Sequence, residues 1–356
     1  MNKWRKQETG MNEAVLRDRF RGALLGTMVG DALGAPVEGW ECDQLNEKLD
    51  DVTILPIADR QQHIPIFGLL SGAELIPGTA YYTDDTQMTI GVAESLVAHA
   101  DFSGPHLASR FAENFEEDRG YGPGAYAVLK ELQKGAAWND VGERLFGGQG
   151  SFGNGAAMRA APVGALYHDN LPRLRRVAEA QASITHTHPI GKQSAALQAA
   201  AVAAALRFDI ESDEFDEQIF VNSVTDSVGA LEQWLDAGYR DLRILLRLRP
   251  LPEEVAETLG NGIEAQLSVP TALYAFTAHY DSFAQAVLYA VRLGGDTDTI
   301  GAMTGAIAGA FHGASAIPPN WLEALENGPQ GRDYVSGLAD QLYDRWKQGT
   351  TGNESE

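Results

Sequence analysis

Between Thr299 and Pro318 the chain carries no Asp, Glu, Lys or Arg, and glycine recurs at every fourth position, at Gly301, Gly305 and Gly309. Residues four apart share one face of a helix, so this pattern gives a helix with one side stripped of side chains, against which another backbone can lie closely. Faces of this kind are best known from membranes. Here Thr304, His312 and Ser315 interrupt the apolar run and Asp296 and Asp298 precede it, which predicts a buried central helix of a soluble bundle rather than a membrane span.

The surrounding chain supports a helical bundle. From about Ala14, Leu16, Phe20, Ala23 and Thr27 recur at helical spacing, with Arg17, Arg19 and Arg21 expected to turn away from the packed face. The same stripe reaches Asp31, which places that carboxylate at the inner end of the helix, where burial demands hydrogen-bond partners. A second helix is expected from Asp85, with Met88, Val92 and Leu96 spaced by four. The segment from Lys192 to Phe208 is dominated by alanine, the best helix former and small enough for close packing, and belongs in an interior. Ser282 to Leu293 reads as helix, interrupted by Gly294 and Gly295 before the glycine-striped helix begins. Val52 to Leu55 is a short apolar run suited to a small strand or ordered loop, within a mixed region containing Pro56, Pro65 and Pro77. No short-period repeat and few strand-like runs are present, so the expected class is all-α, a single many-helix domain over residues 14–346. An N-terminal extension, 1–13, and a polar C-terminal tail, 347–356, flank it.

Charge narrows the partners. With 27 Lys and Arg against 49 Asp and Glu, the net charge of −22 opposes attraction to nucleic acid or anionic lipid. One cysteine, Cys42, cannot form an internal disulfide, and the opening MNKWRKQETG has no apolar run behind its positive residues, so a cytoplasmic location is expected.

Two acidic clusters open two helices: Thr83-Asp84-Asp85-Thr86 and Gly294-Gly295-Asp296-Thr297-Asp298-Thr299. Asp and Thr are favoured helix caps, and the helix dipole favours negative charge there by about 0.3–1 kcal/mol. A cap needs one carboxylate, however, and two together repel unless a proton or cation neutralises them. Alternation along an extended turn would let Asp296 and Asp298 converge. Hard oxygen donors without cysteine suit Mg²⁺, Mn²⁺ or Ca²⁺. Four carboxylates balance two divalent cations, which could orient hydroxyls and activate water.

Three further segments carry candidate chemistry. In Gly30-Asp31-Ala32-Leu33-Gly34-Ala35-Pro36-Val37-Glu38, a turn delivers the Glu38 carboxylate, which competes with a reading as a solvated surface charge. Ser151-Phe152-Gly153-Asn154-Gly155 enters a helix with free backbone N–H groups able to bind phosphate, beside Arg159, with Met158 as packing. Thr185-His186-Thr187-His188-Pro189 holds two imidazoles, and Pro189 biases His188 towards an extended backbone.

Taken together, GDALGAPVE at 30–38, YTDDTQMT at 82–89, SFGNGAAMR at 151–159, THTHP at 185–189 and GGDTDTIGAMTGAIAGA at 294–310 resemble the ADP-ribosylglycohydrolase family. That family includes dinitrogenase-reductase-activating glycohydrolases and ADP-ribosylarginine hydrolases. The resemblance implies an all-α domain with a cleft holding two Mg²⁺ or Mn²⁺ ions. It implies metal ligands Thr83, Asp84, Asp85, Asp296, Asp298 and Thr299, with Glu38, Asp84 and Asp85 as candidate catalytic groups. Gly153, Asn154 and Gly155 would lie along the ADP-ribose, His186 near its diphosphate or proximal ribose, and Asp31 would brace the turn. The implied activity is removal of ADP-ribose from modified protein side chains, arginine above all, which makes an ADP-ribosylated protein the expected substrate. The alternative is an immunity protein that blocks an ADP-ribosyltransferase toxin by contact, through an arm, Met1–Glu13, carrying Trp4 among Lys3, Arg5 and Lys6. Between Glu38 and Thr83 the chain departs from the pattern by a long proline-rich stretch.

Overall fold

The computed structural model describes residues 12–45, 78–208 and 214–352, the last three of these by backbone alone. Val52 to Leu55 and the N-terminal arm up to residue 11 lie outside the described residues. The helices in chain order are α1 (Glu13–Gly34), α2 (Asp84–His99), α3 (Gly104–Asn114), α4 (Pro123–Gln133), α5 (Ala161–Leu166), α6 (Leu171–Ala182), α7 (Pro189–Arg207) and α8 (Glu217–Val228). They continue with α9 (Gln233–Leu248), α10 (Pro252–Leu259), α11 (Ala265–Ala278), α12 (Phe283–Arg292), α13 (Thr297–His312), α14 (Pro319–Ala324) and α15 (Arg332–Gly352). Among the described residues the β-structure is confined to two isolated bridges, Ala80 with Leu325 and Gly153 with Glu264. The all-α expectation holds, and no described helix is long and apolar enough to cross a membrane.

The glycine stripe of α13 meets a matching stripe on α1. A methyl group built on Gly22, Gly26 or Gly30 would overlap the carbonyl oxygen of Gly309, Gly305 or Gly301 respectively, and the reverse substitutions meet the same fate. The pairing runs antiparallel, so the C-terminal end of α1 lies beside the N-terminal end of α13. There Gly34 abuts Thr297, whose Oγ1 donates to the Gly34 carbonyl at 2.9 Å.

Alanine-rich α7 is interior as expected, with Ala195, Ala196, Ala199, Ala200, Ala203 and Ala205 wholly buried. Around this centre pack α11, whose Thr304 contact from α13 reaches the Ala272 carbonyl, and α12, which carries the buried Phe283, Val287 and Val291. Ser282 caps α12 by accepting from the Gln285 N–H at 3.3 Å.

The arginines of α1 divide, contrary to the expectation that all three turn outward. Arg19 is buried and donates to the Phe208 carbonyl at 2.6 Å and the Leu206 carbonyl at 3.3 Å, satisfying carbonyls at the C-terminal end of α7 that have no helical partner. Arg21 forks onto Asp340 of α15 at 2.9 and 2.8 Å, and Arg17 joins Asp340 and Asp344. Helix α15 packs on α1, with Lys347 meeting Glu13 at 2.7 Å, and runs on to Gly352.

The backbone contact between α1 and α13 gives a test with an internal control. Gly305→Ala should lower stability by about 1–3 kcal/mol, the usual cost of overpacking, because backbone rather than a flexible side chain must move. Gly337→Ala in α15, where a methyl meets nothing within 4 Å, should raise stability by roughly 0.5–1 kcal/mol. Chemical denaturation of the two variants should move in opposite directions; equal shifts would contradict this packing.

Candidate metal centre

The first acidic block is positioned from beneath by Asp31. This carboxylate, wholly buried in the last turns of α1, accepts at one oxygen from the Thr83 N–H and Oγ1, both at 2.9 Å. At the other it accepts from the Thr86 N–H at 3.0 Å and from the Thr86 hydroxyl. Four donors satisfy it, which is how a carboxylate is tolerated in the interior. Burial still pushes its pKa up, to about 6, against the pull of those hydrogen bonds. Asp31 therefore braces the entry to α2. From the other side Arg119 stacks on the Tyr82 ring at 3.9 Å, pairs with Glu326, and accepts from the Asp84 N–H at its carbonyl at 2.7 Å.

The second block is positioned by its glycines. Gly294 and Gly295 both have positive φ, +73° and +71°, and added methyl groups would strike the backbone at Trp40–Cys42 and Asn261 respectively. The Gly295 carbonyl accepts from the Gly39 N–H at 2.7 Å, and its N–H donates to the Trp40 carbonyl at 2.7 Å. This two-way link ties the segment after Glu38 to the start of α13. The Asn261 carbonyl accepts from the Asp296 N–H at 2.8 Å while its side chain donates to the Leu293 carbonyl at 2.8 Å. Asn261 was not among the residues singled out from the sequence, although its place between Gly260 and Gly262 marks a tight turn.

The two blocks converge. Thr83 Oγ1 lies 3.2 Å from Asp85 Oδ2 and 3.5 Å from Asp298 Oδ2, and Thr299 Oγ1 lies 3.5 Å from Asp85 Oδ2. Each block thus places a threonine hydroxyl against a carboxylate of the other. Oxygens of Glu38, Asp296 and Asp298 lie within 4.8 Å of one another. Glu38 is exposed, whereas Asp84, Asp85, Asp296, Asp298 and Thr299 are buried. The convergence of Asp296 and Asp298 differs in origin from the extended turn expected: Asp296 is the residue before α13, and Asp298 already lies in its first turn.

Helix capping does not account for these groups. Thr83 and Asp296 stand at the cap positions of α2 and α13, yet neither side chain makes a capping hydrogen bond. Thr83 Oγ1 has one proton and three carboxylates around it, so it can satisfy only one. Asp85 Oδ1 is buried with no hydrogen-bond partner among the described residues. Electrostatics follow from this crowding. Burial, reinforced by Asp31 and Asp296, pushes Asp84 up to about 8, and burial with neighbouring carboxylates holds Asp85 and Asp298 well above the usual carboxylate range. Glu38 is raised by partial burial and by Asp296. An orphaned carboxylate oxygen, hydroxyls short of protons and an all-oxygen donor set fit a hard divalent cation.

The glycine loop attaches to this centre through one residue. Asn154 is buried, and its Nδ2 donates to Asp296 and to Ser268 Oγ at 3.1 Å, while its N–H donates to the Ile263 carbonyl at 2.9 Å. His186 packs under the loop, where a methyl on Gly155 would lie 2.8 Å from its Cε1 and one on Gly153 would lie 3.4 Å from its Nε2. Burial and the Arg159 charge push His186 down to about 3, so the ring is neutral. Arg159 itself is wholly buried, donating to Gln181 and to Thr185 Oγ1, and presents no charge to an anion at the loop. His188, extended at ψ 140° as Pro189 requires, accepts from the Ile190 N–H at 3.2 Å and is a helix cap, apart from the centre.

Comparison with known proteins agrees with this architecture. A family model described as ADP-ribosylglycohydrolase matches residues 12–351. The chain is 36% identical to "ADP-ribosylhydrolase ARH3" of Gallus gallus, over 86% of this chain and 89% of that protein. It is 34% identical to "ADP-ribosylhydrolase ARH3" of Homo sapiens, over 91% of this chain and 93% of that protein. A solved structure titled "ADP-ribosylglycohydrolase-related protein complex" aligns with a TM-score of 0.67 at 27% identity, covering 94% of this chain and 99% of that one.

Raised carboxylate pKa values set the sign of a pH effect. Without cations, the folded chain holds protons on Asp84, Asp85 and Asp298 that the unfolded chain releases near pH 4, so their contribution favours folding at low pH and is lost as pH rises through the folded pKa values. The melting temperature of chelator-treated protein should therefore fall between pH 5 and about pH 8, and Mn²⁺ should restore it most at the upper end. A Mn²⁺-induced shift that is the same at both ends would contradict the proton competition.

Proposed function

The chain belongs to the ADP-ribosylglycohydrolase family, and on that premise we propose that it cleaves the bond between the distal ribose of ADP-ribose and a modified protein side chain, reversing mono-ADP-ribosylation. The family is metal-dependent, and hydrolysis of ADP-ribose linkages is its common chemistry. The observation that carries the reading is the hydrogen bond from Asn154 to Asp296, which ties the glycine loop directly to the acidic centre. An elongated ligand with an anionic middle and a sugar at one end matches that arrangement.

In this proposal Thr83, Asp84, Asp85, Asp296, Asp298 and Thr299 hold two Mg²⁺ or Mn²⁺ ions. Such ions, when bound, supply positive charge for ribose hydroxyls and lower the pKa of a water. Gly153, Asn154 and Gly155 lie along the ADP-ribose, although the N–H groups expected to be free are engaged at Gly153, which donates to Ser151 Oγ, and at Asn154, which donates to the Ile263 carbonyl. His186, beneath that loop, lies near the diphosphate or the proximal ribose. Glu38, exposed beside Asp296 and Asp298, together with Asp84 or Asp85, supplies the acid and base that move protons at the glycosidic bond and on the attacking water. Water adds its oxygen to the anomeric carbon as the bond to the side chain breaks, its proton passing to the departing group, through a transition state of oxocarbenium character.

The modified side chain is arginine in the reading that the sequence resemblance supports, and the names of the relatives specify no linkage. A cytoplasmic setting, expected from the lone Cys42, belongs to the same proposal. The alternative, an immunity protein that blocks a toxin by contact through the arm Met1–Glu13, falls on a segment of which only Asn12 and Glu13 are among the described residues.

The test offers purified protein with Mg²⁺ arginine-linked and serine-linked ADP-ribosyl peptides and follows free ADP-ribose. Release from the arginine-linked peptide is expected, with Asp298→Ala or chelator lowering it at least roughly 100-fold, since a metal ligand should matter no less than the outer partners of such ligands. Release from the serine-linked peptide alone would replace the arginine assignment, and full activity in chelator would overturn the metal assignment.

A further inference from the structure

Thr185 joins two residues that the sequence singled out separately. Its hydroxyl is wholly buried, accepts from Arg159 Nη2 at 2.9 Å and lies 2.7 Å from His186 Nδ1. Arg159 is fixed in turn: its Nε donates to Gln181 Oε1 at 2.7 Å, Nη2 also donates to the Gln181 carbonyl at 3.0 Å, and the guanidinium lies over the Phe111 ring at 4.7 Å. Gln181 completes the frame by donating from Nε2 to the Ala156 carbonyl at 2.8 Å, in the glycine loop itself.

Proton counting decides the direction of the bond to histidine. A guanidinium has no lone pair to accept with, so Arg159 can only donate, and it occupies one lone pair of Thr185 Oγ1. The hydroxyl hydrogen then has one acceptor within reach among the described residues, His186 Nδ1. The opposite arrangement, with hydrogen on Nδ1, would leave the hydroxyl hydrogen buried without an acceptor. Nitrogen Nε2 has no hydrogen-bond partner among the described residues and lies under the loop, close to Gly153 and Gly155.

We infer that Arg159, acting through Thr185, locks His186 as the neutral tautomer with its proton on Nε2, so that the ring presents a hydrogen-bond donor to an oxygen of the ligand in the glycine loop. Arg159 and Thr185 are positioning residues in this arrangement, and the buried guanidinium, unable to meet an anion itself, sets the donor that can. The inference deepens the proposed function and rests on it for the identity of the ligand, but the tautomer is a property of the ligand-free protein.

Long-range ¹H–¹⁵N correlation spectra of ¹⁵N-histidine-labelled protein, with the His186 signals assigned by their absence in His186→Gln, read the tautomer directly. A protonated Nε2 and bare Nδ1 are expected, and a protonated Nδ1 would overturn the inference. Thr185→Val keeps the shape and removes the hydroxyl. It should release the tautomer preference and weaken ADP-ribose binding about tenfold, the effect of one hydrogen bond, while Thr185→Ser restores both. Unchanged tautomer and unchanged ADP-ribose affinity in folded Thr185→Val would also overturn it. Failure of the wild-type protein to bind ADP-ribose would strike the proposed function, with the tautomer still decided by the spectra.

Discussion

The contact of glycine on glycine between α1 and α13 governs everything at the functional end of the molecule. Backbones at this distance leave no room for a side chain and no freedom of register, because Gly22, Gly26 and Gly30 each face one glycine of α13. The antiparallel pairing brings the C-terminal turn of α1, with Asp31 and the run to Glu38, beside the first turn of α13, with Asp296, Asp298 and Thr299. The acidic centre is built at the one place where these two ends meet. Rigid scaffolding of this kind suits a cluster of like charges, which would otherwise relax apart.

That cluster is costly when empty of cations. Asp84, Asp85 and Asp298 are buried among one another and hold protons beyond the usual carboxylate range. Neighbouring groups hold the site's side chains in place: Asp31 beneath Thr83, Asn154 against Asp296, Asn261 behind the Asp296 N–H and, beneath the glycine loop, Thr185 against His186. The glycine loop and the acidic blocks share one design, in which buried polar residues hydrogen-bond to and fix the neighbouring side chains.

Much of this was legible in the residues. The uncharged glycine stripe announced a buried helix in close contact, and the doubled carboxylates exceeded what capping requires. The alanine run of α7 belonged in the interior. The partner stripe was equally present at Gly22, Gly26, Gly30 and Gly34, but a glycine in a helix also marks ends and turns, and only the pairing reveals its use. Charge alone points Arg19 outward and says nothing of what Arg159, beside the glycine loop, would meet. Each instead satisfies buried acceptors supplied from far along the chain, the α7 carbonyls for one and Gln181 with Thr185 for the other, and local periodicity carries no record of such partners. Asp296 and Asp298 converge as expected but by a different local geometry, a cap residue followed by a helical turn in place of an extended turn.

The central claim is that the two acidic blocks share a pair of divalent cations. Anomalous diffraction from crystals soaked in Mn²⁺ tests it most directly. Two peaks are expected between Thr83, Asp84 and Asp85 on one side and Asp296, Asp298 and Thr299 on the other. A well-ordered crystal with no anomalous density between those residues would contradict the account.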